Sequence, residues 1–169
     1  MPKYNNHRKT DFIQKGFNMD VCKCLDKQIE QLPKPLFRFV CHCETCRKYT
    51  KAECFDESSF LLKDCGDLDL SNIEFKSYQT GFSPMERGKC KTCGKVSFSK
   101  IRVWPFPAFV MLPSHKISIE NLPKPFAHLY YKSRVTEAND HIKKVNGHMM
   151  SQLTIQFNIM KGLIVRIFK

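Results

Sequence analysis

No stretch of the sequence is long and apolar enough to cross a bilayer, which excludes a helical membrane span. The opening residues, MPKYNNHRKTDF, are polar and lack the apolar run of a secretory signal, so a reducing, cytoplasmic compartment is the expectation. Acidic residues are scarce: 16 Asp and Glu stand against 28 Lys and Arg, a formal net charge of +12. A field of that sign attracts nucleic acid, acidic protein, anionic lipid or a small anionic thiol, and does not choose among them. Sustained helical periodicity is also missing; the best helix candidate spans 135–144. Tryptophan occurs once, at Trp104.

The remaining composition is ordinary. A chain that is 42% hydrophobic and 26% charged is globular rather than disordered, and 169 residues suit one well-buried domain. Short alternating or apolar runs predict strands at 36–40, 73–78, 96–101, 108–112, 116–119 and 126–131. Prolines at 105, 107, 113, 123 and 125 punctuate them. Near the end, Ile155, Phe157 and Ile159 alternate before Lys161-Gly162, followed by Leu163, Val165 and Ile167, a pattern that suggests a hairpin. Leu-Pro-Lys-Pro occurs at 32–35 and again at 122–125, but the cysteines do not repeat with it, so it reads as a turn signal rather than a duplication. The expected architecture is mostly β, with antiparallel sheets in a single domain. A flexible lead-in at 1–20 precedes the domain at 21–140, and an extension at 141–169 follows it.

Cysteine is the residue in excess, with nine copies. In a reducing compartment that number argues for metal or redox chemistry rather than a disulfide framework, and an odd count fits complete pairing poorly. Seven fall in tight groups: Cys22/Cys24, Cys41/Cys43/Cys46 and Cys90/Cys93. A Cys-x-Cys pair in extended chain presents both sulfurs on one side. A Cys-x-x-Cys turn gathers two sulfurs around one metal, and Gly94 directly after Cys93 suits the tight turn of a zinc knuckle. A redox dithiol at Cys90 and Cys93 would want a following helix, whereas a strand follows here.

Two pairs make a closed tetrahedral thiolate site, assigned to Cys22, Cys24, Cys90 and Cys93. The triplet Cys41, Cys43 and Cys46 offers three ligands, the usual number for an open catalytic zinc; Cys54, Cys65 or a histidine could also complete it. His42, between two ligands, should point away from the metal and pack or hydrogen-bond, and Cys54 and Cys65 read as small buried hydrophobes.

Cys22-Lys23-Cys24, the string CHCETCRK at 41–48, and Cys90-Lys91-Thr92-Cys93-Gly94 together resemble the glutathione-dependent formaldehyde-activating enzyme family, to which centromere protein V also belongs. The resemblance runs over about 21–140 and takes in Trp104 and the stretch at 130–135. It implies a zinc-containing antiparallel β fold with two zincs. One is structural, on Cys22, Cys24, Cys90 and Cys93; the other, on Cys41, Cys43 and Cys46, carries carbon–sulfur lyase chemistry on glutathione and formaldehyde. The chain departs from the family pattern where Leu25 follows Cys24, and where Tyr49-Thr50-Lys51 replaces small residues, bulk that would narrow the approach to the second zinc.

A zinc with three thiolates is a modest Lewis acid, suited to holding a thiolate or polarising a carbonyl beside one. Arg47 and Lys48 follow the triplet and could bind an anionic thiol such as glutathione, with Trp104 either as a wall or, the commoner role for a single tryptophan, packed in the core. A run with no acid in it holds Arg87, Lys89, Lys91, Lys95, Lys100, Arg102 and Lys116, which form either a carboxylate-binding rim or a solvated face. Two other readings stand beside the lyase. One is a non-catalytic zinc-stabilised module binding nucleic acid or an acidic protein, although the dense basic tail and aromatic interleaving of single-strand binders are missing. The other makes both zincs structural.

Overall fold

The computed structural model describes residues 21–77, 85–102 and 104–167. The lead-in at 1–20 and Tyr78 of the second strand candidate lie outside them. Among the described residues the strands are β1 (Phe37–Cys41), β2 (Phe55–Leu61), β3 (Ile73–Lys76), β4 (Met85–Cys90), β5 (Val96–Ile101), β6 (Phe109–Pro113) and β7 (His128–Leu129). They form one sheet in the order β3-β4-β5-β6-β2-β1-β7. Every pairing is antiparallel except β1 with β7, which is parallel. The mostly β architecture therefore holds, as one mixed sheet rather than several.

Both faces of the sheet are covered, so β6 reads as an apolar run, while β2 is buried throughout although it carries Asp56, Glu57, Ser58 and Ser59 and does not read as a strand in the sequence. Every residue of β2 and β6 is buried. Along β6, Phe109 and Met111 join one core with Phe37, Phe39 and Leu129, whereas Val110 and Leu112 join the other with Phe60, Phe98 and Ile73. The short helix α1 (Asp26–Glu30) lends Ile29 to the second core.

Two helices bear on the first core. The helix α2 (Glu44–Thr50) follows β1 after a two-residue gap and ends at Lys51, whose φ of 60° closes it. The helix α3 (His148–Ile167) runs across the same face and replaces the expected hairpin. The apparent alternation of Ile155, Phe157 and Ile159 is coincidental. Ile155, Ile159 and Leu163, four residues apart, pack on the core, while Phe157 is 68% exposed on the opposite side. Lys161-Gly162 is not a turn. Gly162 is where the helix crosses β1's approach, and a Cβ there would stand 2.7 Å from Leu36 Cγ.

Two other expectations are corrected. Residues 135–144 form bends, not a helix, because the Asp140 side chain bonds the local chain: it accepts from Ile142 N at 3.0 Å and Lys144 Nζ at 2.9 Å. The segment 116–119 is not a strand; it joins the 3₁₀ turns Ser114–Lys116 and Ile119–Asn121.

Candidate metal centre

Seven cysteine sulfurs assemble as two groups. The Sγ atoms of Cys22, Cys24, Cys90 and Cys93 all lie within 4.8 Å of one another, as do those of Cys41, Cys43 and Cys46. The first group is drawn together by backbone pairing: Cys22 N donates to Val96 O at 2.8 Å, hanging the N-terminal pair on β5. Its other half is the turn after β4, where Gly94 N donates to Cys90 O at 2.8 Å. Gly94 there takes φ +69°, the left-handed conformation that this residue reaches without steric cost.

The second group sits where β1 hands over to α2. Cys41 ends the strand, Cys43 caps the helix by accepting from Cys46 N at 3.3 Å, and Cys46 stands in its first turn. Cys46 Sγ lies 3.3 Å from Cys41 Sγ. The three sulfurs cannot all ionise without a cation. Hydrogen bonds from Cys41 and Cys46 pull the Cys43 thiol down to about 2, and the bond to Cys43 together with burial pushes Cys41 well up. Cys46 also ends high: its contact with Cys41 pulls down, but Cys43 and burial outweigh it. Among the described residues no further Cys, His, Asp or Glu ligand atom joins this group. Cys65 instead donates to Leu61 O at 3.2 Å, and Cys54 is buried apart. Both groups are thiol-only, the soft donor set that suits zinc rather than magnesium or calcium.

His42 points away from the sulfurs, as the strand alternation requires. Its Nε2 lies 2.8 Å from His128 Nδ1, and His128 Nε2 lies 2.9 Å from Asp140 Oδ2. Because the carboxylate accepts, His128 Nε2 carries the proton, so His128 Nδ1 accepts from His42 Nε2. Burial lowers both imidazoles, His42 to about 4, and holds the pair neutral. This relay anchors the ligand loop to β7.

A cavity of about 130 Å³ opens on the second group. At its sulfur end stand Arg87, Glu57 and Tyr130. Arg87 is buried in β4: its Nη2 donates to Cys46 Sγ at 2.8 Å, while its Nη1 donates to Ser99 Oγ at 3.0 Å and pairs with Glu57. Burial raises Glu57 to about 7 even against that partner, and its Oε2 has no hydrogen bond. Tyr130 adopts φ +53°, an unusual conformation for a bulky residue, held by a 2.8 Å bond from its own N to Ser151 Oγ. Its hydroxyl accepts from Gln152 Nε2 at 2.7 Å, and burial raises its pKa, so the phenol keeps its proton.

Other residues assigned from the sequence stand elsewhere. Arg47 and Lys48 do not line the cavity; Lys48 pairs with Glu44 at 2.7 Å on the exposed face of α2. Trp104 is 91% exposed, neither pocket wall nor core; Phe106, two residues on, is the aromatic of this turn that reaches the cavity. Tyr49 does not line the cavity: its ring is buried and its hydroxyl donates to Gly88 O. In the basic run, Arg87 is a buried partner rather than part of a rim, and Lys116 pairs with Asp26 at 2.7 Å. Arg87, Glu57, Tyr130 and Gln152 escape sequence reasoning as site residues; Arg87 shows there only as one cation in a basic run.

The sequence model of the family described as glutathione-dependent formaldehyde-activating enzyme matches residues 19–133. That span contains both cysteine groups and ends before α3 begins at His148. No curated protein sequence matches the chain.

Proposed function

The chain belongs to the glutathione-dependent formaldehyde-activating enzyme family, and from that premise we propose that its three-cysteine site makes and breaks the carbon–sulfur bond of a thiol–aldehyde adduct of the S-hydroxymethylglutathione type. The observation that carries the reading is the cavity ending on three converging sulfurs with no fourth protein ligand atom among the described residues. Cys41, Cys43 and Cys46 would hold one zinc, and Cys22, Cys24, Cys90 and Cys93 a second that staples the fold. Zinc bound by three thiolates supplies mild Lewis acidity and favours the thiolate form of a thiol.

The chain's own groups account for the rest. In the synthetic direction the thiol sulfur forms a bond to the aldehyde carbon, the carbonyl π pair moves onto oxygen, and the proton lost by the thiol ends on that oxygen. Tyr130 keeps its O–H while Gln152 fills its acceptor side, so the phenol can donate to the oxygen on which charge develops. Arg87 holds Cys46 by its guanidinium and offsets the negative charge of the sulfur cluster. The reverse reaction uses the same contacts.

Exchange NMR on a mixture of formaldehyde and glutathione tests the proposal. Zinc-loaded protein should accelerate interconversion with S-hydroxymethylglutathione above the buffer rate, and Cys43→Ser should abolish that acceleration. No acceleration by protein with both sites loaded, with any thiol, would refute it.

A further inference from the structure

Away from the sulfurs the cavity changes character. Its walls there are Phe37, Phe39, Ile101, Phe106 and, from α3, Ile155 and Ile159. Among the described residues Arg87 is the one cation of the lining, and it is already engaged by Glu57, Ser99 and Cys46. Glutathione carries two carboxylates and an ammonium group, and for these the lining offers only neutral polar groups, Thr45, Ser59, Gln152 and Gln156, and no free charge of opposite sign to its carboxylates. The space suits something smaller and drier: about 130 Å³ is close to the roughly 150 Å³ of an engineered apolar cavity that takes benzene. The wall from α3 lies outside the residues matched by the family model.

We propose that the site selects thiols with a compact apolar substituent, aryl-methyl or short alkyl, over glutathione, and that α3 is the element that sets this preference. The inference rests on the carbon–sulfur reading for its chemistry but not for its binding. The reaction is unchanged: the sulfur–carbon bond forms, the carbonyl π bond breaks, and the thiol proton passes to oxygen, with no oxidant or reductant needed.

The two layers separate if binding is measured with thioethers, which cannot react. Calorimetric titration of benzyl methyl sulfide and of S-methylglutathione into zinc-loaded protein should show the benzyl probe binding at least about tenfold more tightly. Ile155→Asn should weaken the benzyl probe by about tenfold and leave S-methylglutathione unmoved. Should that variant not fold, wild-type protein decides the location: the Ile155 and Ile159 methyl resonances should shift as benzyl methyl sulfide is added. Equal or tighter binding of S-methylglutathione, or isoleucine methyls that stay in place while the probe binds, would overturn the preference. Benzyl binding without turnover of phenylmethanethiol or glutathione would sink the carbon–sulfur reaction and leave the pocket assignment standing.

Discussion

Arg87 Nη2 lies 2.8 Å from Cys46 Sγ, a hydrogen bond that ties the middle of β4 to the first turn of α2. The same guanidinium neutralises Glu57, a carboxylate with no exposed surface on β2. Removing one partner of such a pair is expensive because the other charge stays buried, at about 3–5 kcal/mol. Arg87→Met should therefore cost about that much in urea denaturation, and Arg87→Met/Glu57→Leu should restore most of it. Equal losses in the single and double variants would show that the pair is not the source.

The relay from His42 through His128 to Asp140 gives a pH signature. Burial lowers His42 from the usual 6.5 to about 4. A folded-state value below the unfolded one means that the unfolded chain binds more protons in the window between them. Stability from this imidazole is then present above about 6.5 and lost as pH falls toward about 4. Ring-proton NMR of the zinc-loaded protein should find His42 neutral at pH 5.5; titration near the usual 6.5 would contradict the burial argument.

Metal stoichiometry should separate the two cysteine groups. Cys43→Ser removes a ligand from the three-sulfur group beside the cavity, and mass spectrometry under native conditions should show one zinc fewer per chain with the fold retained. Cys93→Ser breaks the group that joins the N-terminal pair to the turn after β4, so it should lower the melting temperature far more. Similar melting temperatures for the two variants would remove the distinction between stapling and open sites.

How much of this could be read from the sequence follows from the range of each interaction. The sulfur groups and the outward turn of His42 were legible, since Cys-x-Cys, Cys-x-x-Cys and strand alternation act within a few residues. The partnership of Arg87 with Glu57 and Cys46 spans 30 and 41 residues, and nothing local distinguishes that arginine from its solvated neighbours. In α3 the local pattern misleads, because Phe157 is exposed and imitates a strand's apolar alternation, and Gly162 imitates a turn. Trp104 shows the opposite error: its bulk suggests burial, and it stands in water in the turn after β5.

Gly162 supplies the sharpest test of how α3 is seated. Glycine inside a helix costs about 1 kcal/mol relative to alanine, so an interior glycine needs a compensating contact. Here the compensation is close approach, since an added Cβ would stand 2.7 Å from Leu36 Cγ and 3.1 Å from both of its methyls. Gly162→Val places two further methyls in that space and should destabilise the fold by about 1–3 kcal/mol through overpacking. Leu36→Ala clears the same space, so the two substitutions together should cost less than the sum of their separate effects. Strict additivity in urea denaturation would mean that the helix does not rest on Leu36. A helix displaced by Gly162→Val should also carry Ile155 and Ile159 away from the cavity, so benzyl methyl sulfide should bind this variant more weakly than wild type.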